Sequence, residues 1–382
     1  MSTVQVDIIN ESTTGSGVTI DGVLIKDSAI NASSVSGINR KNLIINGNFD
    51  IWQRGTSFTA TGYTADRWYA IASGTGTTTI SQQSFTLGQT DVPNEPKYYL
   101  RIAKSSGATS GDYLSSKNES VRTFAGQATV ISFYAKASAA TTLTPTIRQN
   151  FGTGGSPSSV NDAVKSDISV TTSWQKFTIT HTFDSISGKT LGTANDDHIE
   201  LFFNIQNAAG DSVDFAQFQW EKGSVATDFE MQQPGDILLQ CRRYFHFVTI
   251  WYGTYASFPS GFCVGNGNGT ATAKMTYEDP SMQNFRTSPT ATFEGDNNSS
   301  GSYRSWRLHD NSSNDTQSVQ TVSFDLVEWF DGATGHTGQG LCQMSILWGT
   351  STTGGNFTNQ AHYRINSIAN SPKVRVALDA EL

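Results

Sequence analysis

The chain has 382 residues, a length that predicts two or three domains. Charged residues make up 15% and aromatic residues 11% of it, which together with 35 glycines excludes a disordered chain and favours an all-β architecture with many turns. The formal net charge of −8, without a basic cluster, predicts no nucleic-acid partner. No apolar run approaches the about 18 residues that insert into a membrane.

Residues 1–41 form a segment of their own, in which short apolar and polar residues alternate. Two alternating runs flank Asp21-Gly22 and predict a β-hairpin, with apolar positions at Val18, Ile20, Val23 and Ile25. An earlier alternation predicts another strand at Val4, Val6 and Ile8, and the small polar residues 28–40 predict a linker. Strands this poor in apolar residues cannot bury a core alone, so the segment needs partner chains.

The stretch from Asn42 to Ala70 is rich in aromatic residues separated by glycines. Leu43 and Ile45 predict a first strand, and a turn follows it at Asn46-Gly47. Four charged residues stand among the aromatics, namely Asp50, Arg54, Asp66 and Arg67. They form either a polar sugar site around Trp52 or a buried Arg–Asp network that holds the turn. We expect the network, because an arginine and a carboxylate form a two-pronged pair of fixed geometry.

Short alternating segments continue to residue 232 and predict the two sheets of a jelly roll. The predicted strands are Thr77–Ile80, Tyr98–Ile102, Val130–Ala137, Leu143–Arg148, Lys176–Phe183, Ile199–Ile205 and Val213–Trp220. The run of Val130–Ala137 is apolar on both faces, which predicts a strand buried on both sides. We expect three of the tryptophans to be core residues, because each lies in or beside a predicted strand: Trp68, Trp174 and Trp220.

These segments also resemble a known family. NLIINGNFDIWQRG, with the following Phe, Tyr and ADRW, resembles the start of the carbohydrate-binding-like jelly roll of bacteriophage tail fibre and other virion fibre proteins. VISFYAKAS and WQKFTITHTF resemble its central strands, and FAQFQWEKGSVATDFE resembles its closing strand. The resemblance implies a jelly roll over residues 42–232 that displays or binds a receptor. TGSGVTIDGVLIKDSAI resembles the stem repeats of such fibres, which implies that residues 1–41 join three chains and attach to other virion proteins.

Residues 233–246 predict the best helix of the chain, since Pro234 suits a first turn and an apolar stripe recurs at every third or fourth position. ILLQCRRYF resembles the connector between two β domains of phage fibres. Residues 247–382 predict a second β domain, and MTYEDPSMQNFRTSPTATFEG resembles a signature of phage tail tips. Its strands are predicted at Phe247–Tyr252, Thr270–Tyr277, Ala291–Phe293, Gln320–Phe330, Leu341–Trp348 and Val374–Leu378.

No motif in the sequence predicts catalysis, a metal site or a cofactor. The three cysteines are too widely spaced for a metal motif or a disulfide framework, and no G-x-S-x-G elbow is present. The histidines do not pair at ligand spacing, and we expect surface or packed side chains there. Paired carboxylates such as Asp196-Asp197 are expected to be solvated charges, so the sequence predicts no catalytic residue and no enzyme.

Sugar binding is the better supported prediction, because aromatic faces stack on the C–H surfaces of sugars. Trp52 is one candidate contact. A group of aromatic and basic residues in the polar stretch NNSSGSYRSWRLHDNSSND supplies the others: Tyr303, Arg304, Trp306 and Arg307.

The sequence therefore predicts an all-β, non-enzymatic fibre protein with an N-terminal stem, a jelly roll, a short connecting helix and a C-terminal β-sandwich tip. We expect a homotrimer in the virion, a tail fibre rather than a capsid protein, that is assembled in the host cytoplasm and binds a host-surface glycan. Two alternatives stay open: a head fibre or decoration protein of the capsid, and a glycan depolymerase on the tail.

Overall fold

The computed structural model describes residues 41–72, 76–105 and 112–247 in full, Arg286, Ala377 and residues 379–382, and the backbone of the other strands named below. The chain divides into two compact units, residues 1–233 with Leu382 and residues 234–381. The domain boundaries expected after residues 41, 232 and 246 stay a prediction.

The N-terminal segment contains a small antiparallel sheet. It consists of β1 (Val18–Ile20), β2 (Val23–Lys26) and β3 (Ala29–Ile30), in that order. Ile20 pairs with Val23, so the predicted hairpin is confirmed, although Asp21-Gly22 itself lies outside the described residues. β3 belongs to the predicted linker of residues 28–40, so the start of this linker is a strand that pairs with β2. The strand predicted around Val6 lies outside the described residues.

The first unit continues with a run of short strands. These are β4 (Ser57–Phe58), β5 (Gly62–Tyr63), β6 (Trp68–Ile71), β7 (Thr78–Ser84), β8 (Tyr98–Lys104), β9 (Asp112–Glu119), β10 (Ala128–Ala137), β11 (Thr141–Asn150), β12 (Asn161–Val164), β13 (Ile168–Val170), β14 (Gln175–Thr182), β15 (His198–Ile205) and β16 (Ser212–Lys222). The seven strands predicted between residues 77 and 220 are confirmed, with small differences at their ends.

Two antiparallel sheets arrange these strands as a β-sandwich, which confirms the predicted fold class. One sheet has six strands in the order β14-β10-β16-β8-β7-β4. The other has seven, in the order β12-β11-β15-β9-β6-β5, with β13 paired to β11. Side chains alternate along each strand, so each sheet turns one face to the core and one outward.

Aromatic side chains from both sheets fill the core. The rings of Phe133 and Phe218 stack with centroids 4.8 Å apart, and Trp68 and Trp220 are fully buried. Burial of each such side chain stabilises the fold by about 1.5–3 kcal/mol. The prediction for Trp174 is wrong, because this half-buried residue contacts Phe85 and Tyr99 rather than the core cluster.

The opening stretch does not form the predicted strand at Leu43 and Ile45. Residues 45–48 form a turn instead, and the amide N–H of Phe218 donates to the carbonyl of Gly47 at 2.8 Å. The register between β10 and β16 shifts opposite Phe133, where Gln217 has a positive φ of 51°. The turn therefore hydrogen-bonds to β16 at this β-bulge, and the opening stretch does not pair with β16 as a regular strand.

The second unit begins with α1 (Pro234–Arg242), which confirms the predicted connecting helix. The helix ends before residue 246 because β17 begins at Phe245. The remaining strands are β17 (Phe245–Ile250), β18 (Gly261–Asn266), β19 (Thr270–Met275), β20 (Thr290–Glu294), β21 (Trp306–Asp310), β22 (Thr316–Ser318), β23 (Thr321–Asp325), β24 (Ser345–Gly349), β25 (Tyr363–Ser367) and β26 (Val374–Asp379). They pair as β17-β26-β20, β18-β19, β22-β21-β25 and β23-β24.

Candidate functional site

The outer face of the seven-stranded sheet carries a cleft of about 370 Å³. Four neighbouring strands, β11, β15, β9 and β6, provide its lining. The lining residues are Tyr69, Ile71, Tyr113, Ser115, Lys117, Arg148, Asn150, His198, Glu200 and Phe202. We refer to this site as the sheet cleft.

Strand alternation and register bring these side chains together. On β15, Ile199, Leu201 and Phe203 face the core, so His198, Glu200 and Phe202 face outward. Cross-strand pairing then arranges the outward residues in rows. One row runs from Tyr69 through Ser115 to Phe202, and a second runs from Lys117 through Glu200 and Arg148 to Asp162.

Three half-buried aromatic rings form the apolar part of the sheet cleft. The rings of Tyr113 and Phe202 lie 6.4 Å apart at 55°, and the ring of Tyr69 packs edge-on against Tyr63 at 5.1 Å. The guanidinium of Arg148 lies 5.0 Å from the centroid of Phe202. These rings are held in place by neighbours while part of each ring stays exposed to the cleft.

The positive and negative charges of the second row balance each other. Arg148 forms a two-pronged pair with Asp162 at 2.7 and 2.8 Å, and its third nitrogen lies 3.5 Å from the carboxylate of Glu200. The hydrogen bonds from Arg148 hold the pKa of Asp162 below its usual value. With Lys117 as the second cation, two positive charges face two negative charges. The cleft therefore offers fixed hydrogen-bonding groups without a strong net charge.

His198 is a neutral member of the cleft. Its Nδ1 lies 2.8 Å from the carbonyl oxygen of Asp196, and because a carbonyl only accepts, Nδ1 carries the proton. Burial lowers the pKa of His198, so the imidazole is uncharged at neutral pH. Its Nε2 lies 3.9 Å from the carboxylate of Glu200 and provides a hydrogen-bond acceptor beside it.

The edge of the cleft near Lys117 contacts the last residue of the same unit. The ammonium of Lys117 and the hydroxyl of Tyr63 each donate to the carbonyl oxygen of Leu382 at 3.0 Å. The backbone carbonyl of Lys117 in turn accepts a hydrogen bond from the buried guanidinium of Arg67. Lys117 is therefore oriented by its neighbours at this edge.

The predicted contact Trp52 lies elsewhere. Its indole N–H donates to the carbonyl of Phe49 at 2.7 Å, and its ring stacks on Phe58 at 6.3 Å. These contacts tie the opening turn to β4, and Trp52 does not line the sheet cleft. Its role in sugar binding stays a prediction.

The other predicted contacts belong to the second unit. Tyr303 and Arg304 lie outside the described residues. The backbone of Trp306 and Arg307 belongs to β21, and their side chains also lie outside the described part.

Asp66 in the opening stretch is buried and binds the backbone of the same stretch. It is 1% exposed, and its carboxylate accepts the backbone N–H of Gln53 at 2.9 Å. Burial raises the pKa of Asp66, while the hydrogen bonds of Gln53 and the charges of Arg54 and Arg67 act in the opposite direction. These contacts support the structural interpretation of the charged group over a sugar site.

Among the residues that the structure describes, no group of three or more histidine, cysteine, aspartate or glutamate side chains is placed to hold a metal ion. No helix in the described part of the chain is long and apolar enough to span a bilayer.

No protein-family model matches the sequence, and no curated protein does. Solved structures with a similar arrangement include the enzymatically active domain of tailspike protein 4 of bacteriophage CBA120, with 12% identity, a TM-score of 0.33 and 48% of this chain covered. The chain spans only 22% of that tailspike domain.

Two smaller structures are covered almost completely. TmCBM61 in complex with beta-1,4-galactotriose has 12% identity and a TM-score of 0.31, and 48% of this chain covers 100% of it. The CBM22-1 xylan-binding domain of Paenibacillus barcinonensis Xyn10C has 14% identity and a TM-score of 0.28, and 44% of this chain covers 94% of it. Similarities of this size carry no function to this chain.

Proposed function

We propose that the β-sandwich of the first unit binds a neutral oligosaccharide in the sheet cleft, without cleaving it. The observation that supports this most directly is the pairing of exposed aromatic rings with a self-neutralised row of hydrogen-bonding groups in one cleft. Sugars present C–H faces that stack on rings and hydroxyls that bind to charged or amide groups. A volume of about 370 Å³ is within the usual range for small-ligand sites.

Each part of the cleft has a distinct task in this proposal. Tyr113 and Phe202 stack against sugar rings, and Tyr69 extends this apolar surface along the row. Arg148 donates to sugar oxygens with the nitrogen that Asp162 leaves accessible, while Glu200 accepts from hydroxyl groups. Since Glu200 and Arg148 are already in position, little side-chain freedom is lost on binding, which favours affinity.

The electrostatics of the cleft support binding rather than hydrolysis. A glycosidase needs one carboxylic acid that keeps its proton near neutral pH and a second carboxylate placed to act with it. Arg148 lies beside Glu200, which lines the cleft, and beside Asp162 on the neighbouring strand β12, and its hydrogen bonds hold the pKa of Asp162 low. We therefore propose a non-enzymatic protein, and release of reducing sugar by the purified chain would contradict this.

We further propose that the chain is a trimeric virion fibre, a tail fibre rather than a capsid decoration protein, whose cleft contacts a host-surface glycan. The support is the sequence resemblance of the opening stretch and connector, together with the sheet β1–β3, whose short strands are too few to bury a core alone. Residues 1–41 would join the three chains and attach to other virion proteins. A solution mass of three copies, and immunogold labelling on the tail rather than the head, are the expected results.

A glycan array with the full chain tests the central proposal. Neutral oligosaccharides that bind should then be measured by titration calorimetry against Tyr113→Ala and Phe202→Ala. We expect each variant to weaken binding about tenfold, since one stacking contact contributes up to about 1.5 kcal/mol beyond area burial.

Tyr134→Ala is the matched control, because Tyr134 is a half-buried tyrosine on the other sheet. It should bind like the parent. Equal affinities for the parent and both cleft variants, with all proteins folded, would overturn the assignment of the cleft.

A further inference from the structure

The six-stranded sheet carries a second aromatic group on its outer face. Phe85, Tyr99 and Trp174 contact one another in a triangle, with centroid distances of 4.8 Å, 5.3 Å and 5.4 Å. All three side chains are half-buried, and none belongs to the core cluster. We refer to these three residues as the outer aromatic patch. It lies on the opposite sheet from the sheet cleft.

The patch is fixed by a buried carboxylate. Asp214, 3% exposed, accepts two hydrogen bonds from Arg101 at 2.7 and 2.8 Å. Arg101 also donates to the hydroxyl of Tyr99 at 3.3 Å, and its guanidinium lies 5.7 Å from the centroid of that ring. A two-pronged arginine pair of this kind restricts both partners, so the ring of Tyr99 is held in place before any ligand arrives.

Lys136 brings to the patch a positive charge in excess of the negative charge there. The ammonium of Lys136 lies 5.2 Å from the ring centroid of Trp174 and 6.0 Å from that of Tyr99. It is also 4.0 Å from Asp214, whose charge is already matched by Arg101. Two cations thus share one carboxylate. Lys136 is 30% exposed, so its ammonium can meet a ligand at the ring surface.

This arrangement is not required by the sandwich. Trp174 lies in the loop between β13 and β14, and a polar residue there would leave the core unchanged. Aromatic rings turned outward, with an ammonium above two of them, provide a stacking surface and an anion partner at one place. In the sheet cleft, by contrast, the charges cancel.

We propose that the outer aromatic patch is a second saccharide-binding site and that it takes an acidic sugar. The sugar ring stacks on Trp174, and its carboxylate or sulfate group pairs with Lys136. The two sheets would then carry two sites of different charge preference, one for neutral and one for acidic residues of a surface glycan. Two linked sites raise overall binding to such a polymer well above that of either one.

The proposal is tested with the full chain on an array of uronate-, sialate- and sulfate-bearing oligosaccharides, each beside its carboxyl-reduced or desulfated counterpart. We expect acidic forms to bind more strongly than their neutral counterparts. Raising the salt concentration should weaken this binding, because the contact depends on charge. Lys136→Met should weaken acidic-sugar binding about tenfold, the usual effect of one hydrogen bond between charged groups. Trp174→Ala should also weaken this binding, because the variant lacks the ring on which the sugar stacks.

Two controls make the result specific. Lys176→Met removes an exposed lysine of the same sheet, whose ammonium donates to the carbonyl of Thr227, and should leave acidic-sugar binding intact. Tyr113→Ala should weaken neutral-sugar binding only, so this site and the sheet cleft can fail independently. The proposal is overturned if no acidic sugar binds better than its neutral counterpart. It is also overturned if folded Lys136→Met and Trp174→Ala bind like the parent, or if the patch binds a protein segment instead.

Discussion

The backbone of Gly47 lies directly against that of Phe218. The amide of Phe218 donates to the carbonyl of Gly47 at 2.8 Å, and a Cβ added to Gly47 would lie 2.1 Å from the carbonyl oxygen of Phe218. Real side chains do not approach a backbone oxygen so closely. The contact joins the opening turn to the bulge in the closing strand β16, and only glycine allows it.

We expect Gly47→Ala to destabilise the first unit by about 3 kcal/mol or more, because the added methyl group overpacks a backbone contact that cannot yield. Urea unfolding followed by tryptophan fluorescence measures this. Gly235→Ala is the matched control, since a Cβ at Gly235 meets nothing within 4 Å. Equal unfolding midpoints for the two variants would contradict the role of Gly47.

Asp66→Ala should lower the free energy of unfolding by about 3 kcal/mol, because the backbone N–H of Gln53 loses its buried acceptor and two arginines lose a nearby negative charge. For a unit of this size that corresponds to a fall of about 10 °C in melting temperature. Asp66→Asn keeps an acceptor and should lose less, and the exposed Asp91→Ala should change little. A stable Asp66→Ala protein that has lost glycan binding would instead make the opening stretch the sugar site.

Arg148→Met should abolish neutral-sugar binding in the sheet cleft with a moderate loss of stability. The pair with Asp162 is partly exposed and contributes only about 0–1 kcal/mol, but the side chain of Glu200 is 9% exposed and loses its neighbouring cation. Removal of the arginine leaves the carboxylates of Asp162 and Glu200 without their shared cation and deletes a hydrogen-bond donor. Calorimetric titration of the neutral sugar checks this, with the exposed Arg122→Met as the control. Unchanged affinity would place the sugar elsewhere.

Sequence alternation was sufficient to predict most strands of the sandwich. Strand β10 is buried on both faces as expected, from Val130 and Ser132 on one side and Ile131 and Phe133 on the other. Alternation also explains β14, where Phe177 and Ile179 turn inward while Lys176, Thr178 and Thr180 are exposed. In these strands the alternation of apolar and polar residues depends on burial alone, so it can be recognised in the sequence.

Strand β9 escaped prediction because its core face is not a run of apolar residues. Leu114 is followed on that face by Ser116 and Asn118, both buried. The sheet cleft was missed for a related reason. Its residues come from strands that are distant in the sequence, and Tyr69, Lys117 and Glu200 become neighbours only through the pairing of β9 with β6 and β15. Alternation gives the face of a residue but not the strand beside it.

Trp174 illustrates the opposite error. Its position next to a predicted strand favoured a core residue, yet the side chain lies on the outer face with Phe85 and Tyr99. Hydrophobic character alone does not distinguish a core ring from a ring that packs on the outside of a sheet. The neighbouring Lys136 gave no signal in the sequence, because β10 and the loop before β14 approach each other only in the folded chain.

The stability of the first unit should fall in mildly acidic solution, and His181 is one cause. Burial, followed by the positive charge of Lys165, lowers the pKa of His181 to about 4, while Asp184 acts weakly in the opposite direction. The ammonium of Lys165 lies 3.1 Å from Nδ1 of the imidazole. The ordinary pKa of histidine is 6.5, so the folded chain resists a proton that the unfolded chain accepts.

This difference in pKa determines how the free energy of unfolding changes with pH. Between pH about 6.5 and about 4 the unfolded state binds more protons at this position, so the free energy of unfolding decreases as the pH falls, and below about 4 this contribution stops changing. We expect His181→Gln to flatten the parent's pH dependence within that window, because glutamine does not titrate. Lys165→Met should flatten it in part, since loss of the ammonium lets the pKa of His181 rise. Urea unfolding at half-unit pH steps measures all three proteins. Parallel curves for the parent and His181→Gln would show that the half-buried imidazole does not contribute to the acid sensitivity of this unit.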